Sequence, residues 1–131
     1  MDVLAWQAST GSLEHLQTVS ILPPGFAGKP WAADLHLTPC GRYLYASERT
    51  SSTLAHLAVD DASGRLRLLA HTVVETQPRG FAIDSSGRYL LVVGQLSHHL
   101  SCFAIDTQTG QLRLQQRIPV GQGPNWVEVL A

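Results

Sequence analysis

Three features of the sequence predict an all-β chain folded as a partial β-propeller. The first is a repeat at 46 residues. Gly41-Arg42-Tyr43-Leu44-Tyr45 returns as Gly87-Arg88-Tyr89-Leu90-Leu91, and Ser63-Gly64-Arg65-Leu66-Arg67-Leu68 as Thr109-Gly110-Gln111-Leu112-Arg113-Leu114. Gln77-Pro78-Arg79-Gly80-Phe81 is echoed by Gly123-Pro124-Asn125-Trp126-Val127 at the same offset, and Thr10-Gly11-Ser12-Leu13-Glu14 is an earlier copy of the Gly64 segment. The second feature is that each unit holds four short runs rich in β-branched, aromatic and Leu residues, separated by Gly, Ser, Asp and Pro. The third is the lack of capped 3.6-residue periodicity, with turns recurring too often for helices. Four strands per period of about 45 residues is the pattern of propeller blades.

Taken in order, residues 1–27 supply the two outer strands of one blade, and the loop around Pro23-Pro24-Gly25 is longer than its counterparts. Residues 28–75 form a blade with strands near Ala32–Leu37, Tyr43–Ser47, Thr53–Val59 and Leu66–Val73. Residues 76–121 form the next, with strands near Gly80–Asp84, Tyr89–Val93, Leu100–Ile105 and Leu112–Ile118; residues 122–131 begin a further blade with a strand at Trp126–Leu130. The turns Thr38-Pro39-Cys40-Gly41 and Asp84-Ser85-Ser86-Gly87 have a polar residue first and Gly last, the chemistry of type I turns. Asp61-Ala62-Ser63-Gly64 and Asp106-Thr107-Gln108-Thr109-Gly110 do the same for the outer hairpins. Two complete blades with parts of two neighbours make an open wedge, whereas rings close with typically 4–8 blades. Two blade faces are then bare, so the chain is expected to belong to a longer ring or to self-associate through those faces.

Composition narrows the function classes. At 131 residues, 44% of them apolar and 15% charged, the chain is one globular domain. Nine Lys and Arg against ten Asp and Glu leave a net charge of −1, which gives no electrostatic footprint for nucleic acid or anionic membrane. No apolar run approaches the roughly 20 residues of a membrane span, and Met1–Trp6 lacks the features of a secretory leader. A cytoplasmic location is expected. Cys40 and Cys102 are then expected to be free thiols.

Blade connectivity puts the short, near-duplicate turns on one rim and chemically varied loops on the other. Glu48-Arg49-Thr50-Ser51-Ser52 faces Gly94-Gln95-Leu96-Ser97-His98-His99 in the repeat register; the interblade loops are Glu75–Arg79 and Val120–Asn125. Functional residues collect on loops held by a rigid frame, so the varied rim is the candidate site. Asp34 and His36 alternate with apolar residues on an innermost strand and face one side. Their counterparts are Gly80 and Ala82, so packing does not demand polarity there. The pair is either a general base with its orienting carboxylate or a structural link between blades. Arg79 opens an innermost strand, where a guanidinium can bind phosphate or an oxyanion; the alternative is an ion pair to Glu48 or Glu75. Glu48 and Arg49 are adjacent and point apart if extended, so at most one faces the axis.

His98 and His99 also point apart and make a poor metal pair, so no metal site is expected and one of the two is read as a substrate donor. His15, His56 and His71 are read as surface or packing residues. Trp31 and Trp126 could line a sugar-binding mouth, but interblade packing is the preferred reading. Nucleophile-elbow, phosphate-loop and dinucleotide motifs are absent.

These motifs together resemble a known family. Trp31-Ala32-Ala33-Asp34-Leu35-His36-Leu37-Thr38-Pro39, then Gly41-Arg42, Leu44-Tyr45-Ala46 and Arg49, is similar to a stretch of the seven-bladed propeller family of 6-phosphogluconolactonases. So are Thr76-Gln77-Pro78-Arg79-Gly80-Phe81, Asp84, Gly87, Gly94-Gln95, Ser97-His98-His99 and the closing Val120-Gly121-Gln122-Gly123-Pro124 with Trp126-Val127. The resemblance covers nearly the whole chain and matches the last third or so of a family member; Cys40 stands where that family's turn usually has Asp. It implies hydrolysis of 6-phospho-D-glucono-1,5-lactone to 6-phosphogluconate in the oxidative pentose phosphate pathway, with no cofactor. His36, or a carboxylate such as Glu48, would activate water, while Arg79 and Arg49 would stabilise the oxyanion or hold the phosphate. Asp34, Gln95 and His98 would complete the substrate-binding set. A related branch cyclises muconates, which is the alternative within the fold; the alternative outside enzymology is a non-catalytic interaction segment.

Overall fold

The computed structural model describes residues 1–130 and contains ten strands in three antiparallel sheets. Strands β1 (Asp2–Gln7) and β2 (Ser12–Thr18) form a hairpin. Strands β3 (Ala32–Leu37), β4 (Tyr43–Glu48), β5 (Thr53–Val59) and β6 (Leu66–Val73) form a four-stranded meander in sequence order. Strands β7 (Pro78–Ile83), β8 (Tyr89–Gly94), β9 (His99–Ile105) and β10 (Leu112–Pro119) repeat it. Each predicted strand from Ala32 to Ile118 is present within two residues of its expected limits. The repeat extends to backbone conformation: Gly41 and Gly87 end equivalent turns at φ of 73° and 68°, a left-handed geometry that a side chain at either position would strain.

The expected strand at Trp126–Leu130 does not form, and Ala131 lies outside the described residues. A strand exists by virtue of a ladder partner, and among the described residues this segment has none: Gly80 N–H donates to Asn125 O at 3.1 Å and no ladder follows. Trp126 instead lies over Gly80, where a Cβ would stand 2.8 Å from its Cε3 atom. Interblade packing, the preferred reading of this Trp, is what the structure gives.

The first four-stranded sheet is covered on both faces, which explains why β4 and β5 read as continuous runs of buried residues. On one face Leu44, Ala46, Ala55, Leu57 and Leu66 pack with Ile21 and with Met1, Val3 and Val19 of the hairpin region. On the other, Tyr45 and Leu54 meet Phe81, Leu90, Val92, Phe103 and Ile105 of the second sheet. His56 is buried in this seam, stacked on Tyr45 at 5.2 Å, and its Nε2 has no partner. The scaffold rim is sewn by the β9–β10 turn: Arg42 Nη2 donates to Thr107 O and Tyr45 OH to Gly110 O, both at 2.5 Å, and Tyr43 OH donates to Gln108 O. Where the sheets have no neighbour they stay open, with Leu35 and Leu37 on β3 and Leu114 and Ile118 on β10 exposed.

Candidate active site on the loop rim

A repeated latch builds the rim. Ser52 and His98 occupy equivalent positions and both adopt left-handed backbone, at φ of 57° and 54°; so do Gln77 and Gly123, at 58° and 65°. In the first copy the Gln77 N–H donates to Ser52 Oγ at 3.1 Å; in the second the Gly123 N–H donates to His98 Nδ1 at 3.0 Å. Each latch ties the loop between the second and third strands of its sheet, β4–β5 in the first and β8–β9 in the second, to the segment that follows the sheet. His98 is therefore occupied at Nδ1, and accepting there places the neutral ring's proton on Nε2, the one ring atom left to donate outward. His99 does not join it: its Nδ1 donates to Ser97 O at 2.5 Å.

The two acidic residues of the rim are anchors. Glu48 is wholly buried, and its two oxygens accept the N–H groups of Trp31 at 2.6 Å and Ser51 at 2.5 Å. Burial pushes its pKa up, but hydrogen bonds from Ser51, Trp31 and Thr50 outweigh that and hold it below the usual carboxylate range. The expectation that Glu48 activates water is corrected by this placement, because a carboxylate sealed from solvent and engaged by two amides has no access to a substrate. Glu75, also buried, accepts from Ser101 Oγ at 2.5 Å and from Arg117 Nε and Nη2 at 2.8 and 3.1 Å. Against the upward push of burial, Arg117, Ser101 and Ser97 bring its pKa down to about 2.

With Glu48 and Glu75 so engaged, Arg49 and Arg79 have no carboxylate partner among the described residues. Arg79 is exposed and, among the described residues, makes no ion pair. The alternative of an ion pair to Glu48 or Glu75 is therefore removed. Arg49 is 8% exposed and lies flat on Trp31, its Cζ 3.6 Å from the ring centroid. Its Nη2 donates to Gln95 Oε1 at 2.5 Å and to Gln77 Oε1 at 3.4 Å, while its Nε is buried without a partner. Burial, and then the positive charge of Arg79, lower the Arg49 pKa. Of the adjacent pair Glu48 and Arg49, it is Arg49 that reaches the second sheet.

Further along β3, Asp34 Oδ2 lies 3.1 Å from His36 Nε2 and also accepts the Phe81 N–H at 3.2 Å. The His36 ring meets the Phe81 ring edge-on at 4.8 Å and its side chain remains 38% exposed. With Asp34 Oδ2 accepting from Nε2–H, the His36 Nδ1 lone pair is turned away from the pair and free to accept a hydrogen bond. Ser47 joins this pair to Arg79: its Oγ accepts the Asp34 N–H at 3.0 Å and donates to Arg79 O at 2.9 Å. So Asp34 and His36 form one group, Arg49 and Gln95 another beside Arg79, and His98 holds the neighbouring loop. Sequence reasoning missed Gln77, Ser47 and the stacking role of Trp31. Gln77 did carry a signal, since the same register position holds Trp31 one repeat earlier and Gly123 one repeat later.

A propeller wedge whose varied rim gathers uncompensated guanidinium and amide donors beside an Asp–His pair has the makings of a site for an anionic, oxygen-rich small molecule. Among known proteins, the model of the seven-bladed β-propeller lactonase family matches residues 1–129, and the chain belongs to that family. It is 47% identical over its whole length to a 6-phosphogluconolactonase of Pectobacterium carotovorum, covering 40% of that protein. It is 53% identical over 88% of its length to a 6-phosphogluconolactonase of Photorhabdus laumondii, covering 35% of it. Among solved structures it superimposes on a periplasmic gluconolactonase of Pseudomonas aeruginosa with a TM-score of 0.86 and 40% identity, over 95% of this chain and 34% of that one. The chain thus spans about two fifths of the curated relatives it matches.

Proposed function

We propose that these residues form part of the wall of a lactonase that hydrolyses 6-phospho-D-glucono-1,5-lactone to 6-phosphogluconate, the whole ring being needed for turnover. His36 takes a proton from water at Nδ1 as the water attacks the lactone carbonyl, with Asp34 holding the ring and stabilising the imidazolium. The tetrahedral intermediate collapses by cleaving the bond between the carbonyl carbon and the ring oxygen, which receives the proton and becomes a hydroxyl. Arg79 and Arg49 bear the negative charge of the substrate, and Gln95 and His98 Nε2 are available as neutral donors. Glu48 shapes the loop that presents Arg49. The observation that carries the reading is the oriented, accessible Asp34–His36 pair, joined through Ser47 to the backbone of Arg79, whose guanidinium has no carboxylate partner among the described residues. A cytoplasmic setting belongs to the same reading, supported by two free thiols, Cys40 and Cys102.

The test is lactone turnover by a completed ring, in which the 131 residues replace the matching segment of the Pectobacterium relative. His36→Ala is expected to lower kcat by about 10²–10⁴-fold, and Asp34→Asn by less. Unchanged kcat in both would reject the assignment. The isolated chain is expected to turn over little or none, because the rest of the wall is contributed by blades outside these residues.

A further inference from the structure

We propose that Ser47 is the positioning residue of the Asp34–His36 pair: its hydroxyl, inserted between the two sheets, sets the place of Asp34 and through it the proton of His36. This rests on the reading of that pair as the base, and it adds a residue that touches no substrate, since Ser47 is wholly buried. The starting point is a bulge. The β3–β4 ladder slips between Ala32 and Leu35, and the β7–β8 ladder slips at the equivalent place, between Pro78 and Phe81. A slipped ladder frees a backbone N–H, which must find another acceptor. In the second sheet the freed donor is Gly80, whose N–H bonds directly to Asn125 O at 3.1 Å in the segment that follows. The repeat register matches Gly80 with Asp34 and Asn125 with Arg79, so a faithful copy would join Asp34 N–H to Arg79 O. The first sheet makes that link only through Ser47, whose Oγ accepts the Asp34 N–H at 3.0 Å and donates to Arg79 O at 2.9 Å. Val93, the counterpart of Ser47, has no hydroxyl to insert.

The inserted hydroxyl decides what position 34 can carry. In the second sheet the direct bond goes with a glycine: a Cβ on Gly80 would stand 3.0 Å from Asn125 O and 2.8 Å from Trp126 Cε3. In the first sheet a hydroxyl oxygen separates donor from acceptor, and the same position holds a carboxylate. Asp34 Oδ1 accepts the Leu35 N–H at 2.9 Å. Its Oδ2 accepts the Phe81 N–H at 3.2 Å and lies 3.1 Å from His36 Nε2. Phe81 also sets its ring edge against His36 at 4.8 Å. The second sheet therefore holds the pair at three points: Arg79 O through Ser47, the Phe81 N–H and the Phe81 ring. Without the hydroxyl, the Asp34 N–H and Arg79 O are left unpaired or drawn into the direct bond of the second sheet, whose geometry there suits only glycine. Either way the carboxylate leaves its place beside His36 Nε2, and a misplacement of about 1 Å is enough to lower turnover.

The experiment is made on the completed ring and reads kcat, KM and the ring-nitrogen NMR shifts of His36, which report where the neutral imidazole keeps its proton. Ser47→Ala is expected to lower kcat about tenfold, a part of what the base itself contributes, with KM within about twofold. The same variant replaces the single Nε2–H form of His36 by a mixture of both neutral tautomers, and Ser47→Val, which copies Val93, does likewise. Ser47→Thr keeps a hydroxyl on the same backbone; it restores kcat to within about threefold and the single tautomer with it. An equal loss of kcat in Ser47→Ala and Ser47→Thr, with the tautomer undisturbed in both, marks a merely structural role and overturns the proposal. Where Ser47→Thr does not fold, the tautomer of Ser47→Ala decides. The reaction is tested apart from the positioning. If His36→Ala turns over normally while Ser47→Ala still mixes the tautomers, the base is rejected and the positioning stands. If His36→Ala is disabled while Ser47→Ala matches the parent in kcat and tautomer, the positioning alone is rejected.

Discussion

The two four-stranded sheets are copies of one design, and they differ at the positions to which the proposed function gives the chemistry. Ser52 and His98 accept the same kind of backbone hydrogen bond from Gln77 and Gly123, with the same left-handed backbone. Gly41 and Gly87 close the same turn. Yet Asp34 and His36 face Gly80 and Ala82 across the repeat, Glu48 faces Gly94, and Arg49 faces Gln95. The conserved half of the comparison sets geometry. The divergent half shows which positions were free to carry charge, and in the first sheet they carry an Asp–His pair, a guanidinium and the carboxylate that anchors its loop. Even Gln95, the counterpart of Arg49, turns its amide oxygen to Arg49, so one repeat serves the other.

The comparison can be broken by copying one sheet onto the other. The largest stability effect is expected from Glu48→Gly, which imitates Gly94. It leaves the part-buried N–H groups of Trp31 and Ser51 without their acceptor, at a cost of about 2–4 kcal/mol by denaturant melts. A loss below 1 kcal/mol would mean that the anchor is dispensable. The converse substitution Gly94→Ala is excluded by space, since its Cβ would lie 2.5 Å from Glu75 Cβ and 2.9 Å from Thr76 O.

Next comes acid. Glu75 has its pKa depressed to about 2 in the folded chain, so its contribution is complete above the unfolded carboxylate range near 4.5 and is lost as pH falls toward 2. Arg117, its partner, is half exposed, so the loss is about 2 kcal/mol rather than the full linkage value. Glu75→Gln should flatten stability over that window; an unchanged slope would contradict the pair.

A smaller effect distinguishes His56 from Cys102, its counterpart. Burial lowers the His56 pKa, so the folded state takes up its proton later than the unfolded one and stability falls as pH drops below about 6.5. His56→Phe should remove that part of the pH dependence in melts between pH 7 and 5. The smallest effect tests the shared half of the design: Ser52→Ala and His98→Ala each remove one latch bond and should each cost about 1 kcal/mol. Strongly unequal costs would show that the latches are not equivalent.

Much of this was legible in the sequence because propeller strands announce themselves by period-two patterns and Gly-ended turns, and because a repeat can be checked against itself. The strand at Trp126–Leu130 was overread: its side chains suit a strand, but strand formation depends on a partner that the sequence of the segment does not contain. Glu48 was misjudged for a related reason. Polarity beside an arginine reads the same whether a carboxylate faces solvent or caps backbone amides, and only the loop's path tells them apart. The glycine opposite it in the repeat was the available hint. Gln77 went unnoticed because its contribution is a side-chain oxygen turned inward from an unusual backbone conformation, which no spacing rule records.

The central claim is that catalysis belongs to the divergent positions and geometry to the shared ones. It is tested most directly by lactone turnover of the completed ring in two variants that each copy the second sheet into the first. The Asp34→Gly, His36→Ala double variant is predicted to lose at least a hundredfold in kcat, while Ser52→His, which exchanges one latch for the other, stays within about threefold. Retained turnover in the double variant, or an equal loss in Ser52→His, would contradict the account.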